Sequence, residues 1–248
     1  MNTELLEGWL LLPREEADFP LGTDAVVLAD FARPPRGSAV CDLCAGSGAV
    51  GLLLAARDPS VQITALELRP EACAALERTV HINRIEDRVA VLQGDLREIR
   101  GLLRAGAFSQ LTCNPPYYPL GSGYVPENET QAIARTERCC TLEDVCRASA
   151  WLLRTGGCLW MVHRPERLTD LLWALRANQL EPKCLRLVCP RPGAAPSLLL
   201  VKAVRGGKPG LRWSPPLLLA NEDGSPSAEY QRIYRLGGAE KNETLEVL

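Results

Sequence analysis

Apolar positions along this chain fall into two patterns that take turns. AVCDLC (39–44), QITALEL (62–68), VAVLQGD (89–95), FSQLTCN (108–114) and GCLWMVH (157–163) are short apolar runs of the kind that form strands buried on both faces. Between them, 49–57, 70–82, 96–105, 141–153 and 165–177 carry apolar residues at helical spacing. Strands alternating with helices predict a Rossmann-like, doubly wound α/β fold with a mostly parallel sheet, because parallel neighbours need crossovers and a helix is the usual one. Thr141 with Asp144 three residues on predicts a capping box at the start of 141–153. After 180 the pattern changes. LEPKCLRLVCP and SLLLVKAVRGG, joined through the Pro/Gly/Ala-rich segment 190–196, predict an antiparallel pair at one sheet edge. With neither an internal repeat nor a long linker, 1–248 reads as one domain: an N-terminal extension (1–20), a core (21–165), and C-terminal strands and tail (180–248).

Composition narrows the setting. A chain of 248 residues that is 46% apolar can bury a sizeable core. Its ten cysteines are scattered, several lie inside apolar runs, and no charged-then-apolar leader precedes them, which predicts a reducing, cytoplasmic environment. The apolar runs are far short of a bilayer span, so no membrane segment is expected. A formal net charge of −2 means that a nucleic-acid partner would need a local basic patch.

In a parallel α/β sheet, ligands bind beyond the carboxyl ends of the strands. Asp42 ends the first strand, and Gly46, Gly48 and Gly51 then turn into a helix, where missing side chains permit close approach of a ligand. Glu67 ends the second strand, placed to accept ribose hydroxyl hydrogen bonds, and Gly94-Asp95 end the third. The glycines satisfy GxGxxG with an acid at dinucleotide spacing, so an NAD enzyme is one reading. Asp42 opposes it: a carboxylate there repels a pyrophosphate but suits a ligand with an amino group or sulfonium. S-adenosylmethionine fits, with Glu67 on its ribose and Asp95 on its adenine amine.

The fourth strand runs into Asn114-Pro115-Pro116-Tyr117. An exocyclic amine or side-chain amide is a poor nucleophile because its lone pair is delocalised, so it must be held near the methyl. The Asn114 side-chain oxygen and the Pro115 carbonyl can accept its N–H bonds, the prolines stiffen the turn, and Tyr117 offers a flat face for stacking. No metal is required.

This ordered set, Asp42, Gly46-x-Gly48, Glu67, Gly94-Asp95 and NPPY, resembles the class I S-adenosylmethionine-dependent methyltransferases, in which NPPY marks enzymes acting on planar nitrogens. The resemblance covers about residues 20 to 165 and implies a seven-stranded sheet with its last strand antiparallel. LGTDAVVLADF (21–31), NPPYYPLGSG (114–123), Ala134-Arg135-x-Glu137 and the tail 201–224 are similar to the bacterial tRNA(Val) adenine-N6 methyltransferases, which act on the adenine beside the anticodon. That likeness implies an RNA partner, a tRNA. It places Thr23 and Asp24, just before the first helix, near the cofactor's methionine end, with a helix N-cap as the other reading of Thr23. It sets Arg135 at the border of the substrate pocket, against a solvated surface charge, and makes Tyr118 a second stacking face or wall packing. Other NPPY enzymes act on ribosomal RNA or DNA base amines, or on a protein glutamine amide. The glutamine enzymes resemble chains with a larger helical N-terminal domain, and ribosomal guanine enzymes more often show Phe after the prolines. A fold that binds cofactor without catalysis is the remaining alternative.

Basic residues concentrate late in the chain: Lys183, Arg186, Arg191, Lys202, Arg205, Lys208 and Arg212, with Glu181 the sole acid from 181 to 212. They predict an RNA-facing patch, with Lys202, Arg205 and Lys208 as candidate contacts, against ordinary solvated charges. Cys41-x-x-Cys44 has metal or redox spacing but no second pair nearby, and reads as packing. His81 and His163 form no triad or metal site, and the frame around Ser47 is incomplete for a hydrolase.

Overall fold

The computed structural model describes residues 22–117 and 140–234, together with the backbone of two short strands, β1 (Asn2–Leu5) and β2 (Leu10–Pro13), which pair antiparallel with each other. Periodicity had assigned nothing before residue 21, since four-residue strands are too short to display alternation.

Five strands form the parallel heart of the main sheet: β3 (Ala39–Leu43), β4 (Gln62–Glu67), β5 (Val89–Gln93), β6 (Phe108–Cys113) and β7 (Leu153–His163), in the spatial order β5-β4-β3-β6-β7. Strand order reverses between β3 and β6, which opens a crevice beyond their carboxyl ends. Helices α1 (Thr23–Phe31), α2 (Ala49–Arg57) and α3 (Pro70–Asn83) supply Leu28, Leu53 and Leu76 to the core on one face. A 3₁₀ turn (Leu96–Glu98), α4 (Ile99–Leu102), α5 (Leu142–Leu152) and α6 (Leu168–Ala177) supply Leu96, Ile99, Val145 and Leu175 to the core on the other. Two covered faces explain why the strand runs are apolar without alternation.

The C-terminal strands complete the sheet. β8 (Leu180–Cys189) and β9 (Leu198–Arg205) pair antiparallel, and β9 also pairs antiparallel with β7. The antiparallel strand therefore lies inside β8 and not at the edge. Burial accounts for this position: Leu198–Val201 of β9 is buried at every position, whereas β8 intersperses half-exposed residues and suits a border. Two-residue strands β10 (Arg212–Trp213) and β11 (Leu217–Leu218) add in parallel to β8, giving nine strands where seven were expected.

Element boundaries shift in several places, and the helix expected over 165–177 begins as a 3₁₀ turn (Pro165–Arg167). The helix expected over 96–105 divides into the 3₁₀ turn and α4. β7 begins at Leu153 rather than at 157, and the pairing slips between Phe108 and Gln110 to absorb the extra residues. Thr23 is the first residue of α1, not its cap: Gly22 holds that position, and the Asp24 Oδ1 accepts the amide of Ala25 at 2.9 Å. The capping box is as expected, with Thr141 N donating to Asp144 Oδ2 at 2.9 Å and Asp144 N to Thr141 Oγ1 at 3.2 Å.

A final helix, α7 (Ala228–Tyr234), is fastened by charge. Arg186 clasps both oxygens of Glu229 at 2.8 Å, and Arg232 reaches the buried Asp30 of α1 at 3.3 Å. Asp30 also lies 3.3 Å from Arg33 and 3.7 Å from Arg57. Burial opposes the Asp30 anion, but the three guanidiniums outweigh it and hold the carboxyl below its ordinary range. Among the described residues, no helix is long and apolar enough to cross a membrane.

Two stability measurements test this packing. Asp30→Ala leaves Arg57 buried beside lost charge and should cost about 3 kcal/mol, read from the urea midpoint. Thr141→Ala removes only a cap and should cost about 1 kcal/mol. Equal losses from the two would show that the Asp30 cluster is no more than a surface contact.

Candidate active site

The carboxyl ends of β3, β4, β6 and β7 converge on one cleft with two connected halves. Cys44, Gly46, Glu67, Gly94, Asp95, Asn114, Pro116 and Cys140 line one half. Thr23, Asp24, Asp42, Ser47, Arg69, Asn114, Pro115, Tyr117 and Arg164 line the other. Asn114 borders both.

Asp42 is fully enclosed. Its Oδ1 accepts the Thr112 hydroxyl of β6 at 2.6 Å and its Oδ2 the Gly51 amide of α2 at 3.1 Å. Burial pushes the carboxyl up to about 7, against those two donors, and the nearby Glu67 charge adds to the rise. A Cβ on Gly51 would lie 2.9 Å from Ile63, so the glycine is what lets α2 approach closely enough to donate. Gly48, with φ +77°, has a packing role: a Cβ there would lie 2.3 Å from Leu76 of α3, and it does not line the cleft.

Glu67 is held as tightly. Its Oε2 accepts the Gly46 amide at 2.8 Å, and its Oε1 accepts the Arg69 amide at 3.0 Å and Nε at 3.1 Å. A carboxylate has roughly four acceptor positions, which leaves room for a ligand hydroxyl. Asp95 lines the same half, but Arg97 wraps its carboxylate through Nε and Nη2, at 2.9 and 2.5 Å from Oδ2, and holds it below the ordinary range. The Gly48 amide donates to Ala45 O at 2.7 Å. The glycine-turn amides thus serve Asp42, Glu67 and the turn itself, an arrangement opposed to the dinucleotide reading.

β6 delivers Asn114 to the sheet's edge, and the prolines turn Tyr117 back over it. The Tyr117 hydroxyl meets Asp24 Oδ2 at 3.0 Å and the Asn114 side-chain amide oxygen in a shorter contact. Its packed surroundings and the Asp24 charge drive the phenol pKa well above the ordinary value, so it stays a proton donor. His163 at the end of β7 meets the Tyr117 ring edge-on, with centroids 5.5 Å apart and planes at 67°. Nδ1 of His163 accepts the Arg164 amide at 2.8 Å, and burial depresses its pKa to about 4, leaving a neutral imidazole.

Of the residues expected from sequence, Thr23, Asp24, Asp42, Gly46, Glu67, Asp95, Asn114, Pro115 and Tyr117 meet in this cleft. Tyr118 and Arg135, with most of segment 118–140, lie outside the described residues. Lys202, Arg205 and Lys208 do not line the cleft. Lys202 sits 4.7 Å over the Trp160 ring, Arg205 Nη1 reaches Asn178 O at 3.4 Å, and Lys208 O accepts Lys183 Nζ at 3.0 Å. Sequence proximity had grouped them, but β9 carries its last residue away from the carboxyl edge on which the site is built.

Arg69 and Arg164 are wall residues that motif reasoning missed. Both follow a strand end by one or two positions, so the same carboxyl-edge rule was the available signal. Cys41 and Cys44 do not pair; Cys44 Sγ lies 3.8 Å from Cys140 Sγ, and contacts among Cys44, Cys113 and Cys140 together with burial keep these thiols protonated. Among the described residues, no cluster has the makings of a metal site.

Comparison with known proteins agrees with this geometry. A tRNA1(Val) (adenine(37)-N6)-methyltransferase of Shewanella amazonensis is 31% identical over 75% of this chain and 78% of its own. A predicted O-methyltransferase from Agrobacterium tumefaciens superposes with TM-score 0.72 at 23% identity, covering 90% of this chain and all of that one. The geranyl diphosphate C-methyltransferase of Streptomyces coelicolor, solved with S-adenosyl-L-homocysteine, gives TM-score 0.52 at 14% identity over 73% of this chain and 78% of that one, which speaks to the fold alone. The family model described as the methyltransferase small domain matches residues 21–172, more than half of the chain, and the chain belongs to that family.

Proposed function

We propose that the chain is an S-adenosylmethionine-dependent N-methyltransferase that forms N6-methyladenine in tRNA, at the adenine next to the anticodon, in the cytoplasm. The observation that carries the chemistry is Asn114 at the seam between the two halves of the cleft, with Pro115 and Tyr117 beside it in the second. The relatives named for tRNA adenine methylation support the substrate.

The donor set fits the cofactor. Asp42, to which no cationic side chain among the described residues is hydrogen-bonded, suits a cationic amino acid moiety, and Glu67, with one acceptor position open, suits a ribose hydroxyl. Bound there, S-adenosylmethionine supplies an electrophilic methyl on a sulfonium whose sulfur leaves with the bond's electron pair. The protein's task is then positional. The Asn114 amide oxygen and the Pro115 carbonyl accept the two N–H bonds of the adenine amine, hold its nitrogen toward the methyl, and favour in-line attack. The proton displaced from nitrogen passes to water.

Asp24 and Tyr117 set the amide. A phenol has one proton and cannot donate to Asp24 and to Asn114 together. The carboxylate takes it, and a half-turn of the Asn114 amide lets its N–H₂ donate to the phenol oxygen. That rotamer frees the amide oxygen from the phenol, so that it can accept from the amine.

Methyl transfer from labelled cofactor to tRNA lacking this methylation, followed by nucleoside analysis, tests the reading. Asn114→Ala should lower turnover about 100-fold or more, with cofactor affinity within about threefold of wild type; full activity would refute the clamp. Tyr117→Phe keeps the ring but loses the hydroxyl, and turnover should fall about tenfold; an unchanged rate would make the phenol a stacking face only. A third test uses pH. The free Asp42 carboxyl releases its proton near pH 7, and a cationic ligand favours the anion, so affinity should strengthen as pH rises from 6 to 8 with proton release on binding. Asp42→Asn should abolish that release, measured by calorimetry in buffers of different ionisation enthalpy.

A further inference from the structure

Among the described residues, four large apolar side chains are exposed, and three of them share one flank: Trp173 at 64%, Trp213 at 56% and Leu211 at 40%. Trp173 of α6 and Leu211 line a common surface groove with Pro182. Trp213 stands two residues beyond Leu211 and pairs in register with Leu185, whose side chain lies in the core beneath α6. Leu211, just before β10, meets Trp173 in that groove, and the register with Leu185 turns Trp213 toward the same side. A shared patch of this kind on an otherwise well-buried fold marks a contact surface.

Its rim is basic. Lys183 Nζ is held over the 206–211 turn by Lys208 O, Lys208 itself is exposed, and Arg205 reaches the α6–β8 turn at Asn178. Glu181, the sole nearby acid of this stretch, is already paired with Arg176 at 3.2 Å. The chain as a whole carries −2, so the basic rim is a local feature and not part of a generally basic surface. A second copy is a poor occupant, because a two-fold contact would bring the same cations face to face. Flat indole faces amid cations suit a polyanion with stackable rings.

We infer that the Trp173–Leu211–Trp213 flank is a second RNA-docking surface, on which unpaired bases of the substrate stack while Lys183, Arg205 and Lys208 meet its phosphates. This rests on the RNA reading proposed above. The reach is feasible. Trp213 lies about four residues and Leu211 about six below the carboxyl end of β8, some 13 to 20 Å at a strand's rise, and β8 stands three strands from β6, roughly 14 Å across the sheet, which puts flank and cleft about 19 to 24 Å apart. That is less than the roughly 34 Å of one duplex turn, so one folded RNA arm can touch both flank and cleft.

The test is titration of an unmethylated tRNA transcript against the full chain at several salt concentrations. Trp173→Ala with Trp213→Ala should weaken RNA binding tenfold or more, and Arg205→Ala with Lys208→Ala should flatten the slope of log affinity against log salt by roughly 1.5. Cofactor affinity should hold in both, as none of the four residues lines the cleft, and melting temperature should hold in the tryptophan variant, whose two side chains are exposed. Unchanged RNA affinity and slope in both variants, with methyl transfer to tRNA intact in wild type, would overturn the docking surface alone. A wild-type dimer that the tryptophan variant dissociates, with RNA affinity unchanged, would also overturn it and assign the flank to self-association. Absence of methyl transfer to any RNA would instead sink the function proposed above.

Discussion

A carboxylate shut away from water is tolerated only where donors are brought to it, and Asp42 sets that requirement for the centre of this molecule. Thr112 must come from β6 and the Gly51 amide from α2, so β3 is locked to the strand beside it and the helix above it. The requirement spreads outward. Gly51 has to lack a side chain for α2 to come close, and Gly48 must leave room for Leu76, which fixes α3 in turn. Glu67 repeats the device one strand over, tying the glycine turn to β4 through the Gly46 amide. The cleft is therefore rigid on the side of Asp42 and Glu67, because its acids are also its fasteners.

The opposite wall is organised by the NPPY turn. Asn114, Tyr117 and Asp24 form a chain of polar contacts from β6 to α1, and His163 of β7 backs the tyrosine ring as a neutral imidazole. Tyr234 of α7 reaches the Thr23 hydroxyl at 3.4 Å, so the C-terminal helix touches the same corner. Parts of the chain more than two hundred residues apart thus share one side of the site.

Much of this was legible from sequence wherever function coincides with a strand end. Asp42, Glu67 and Asn114 each close an apolar run, and a parallel sheet has only one edge on which such residues can gather. Residues that act through side-chain reach were less legible. Arg69 turns back onto Glu67, and Cys140 meets Cys44 across nearly a hundred residues; neither relation has a local signature. The late basic residues do not line the cleft, for a geometric reason. Successive positions in a strand point to opposite faces, so Lys202 lies over Trp160 while Lys208, beyond the strand's far end, joins Lys183. The inward placement of β9 was likewise hidden, because a fully apolar run tells that a strand is covered but not by which neighbours.

That placement also bears on the order in which the chain is built. β8 pairs with β9, β10 and β11, all of which follow it in sequence, and with none of the strands before it. While the protein is being synthesised, β3 to β7 can already assemble their parallel sheet, yet β8 has nothing to join. Its apolar positions wait until β9 is made and inserts between β7 and β8. β9 thus closes the sheet only after its parallel strands are made, and α7, which follows it in sequence, can reach Asp30 only after that.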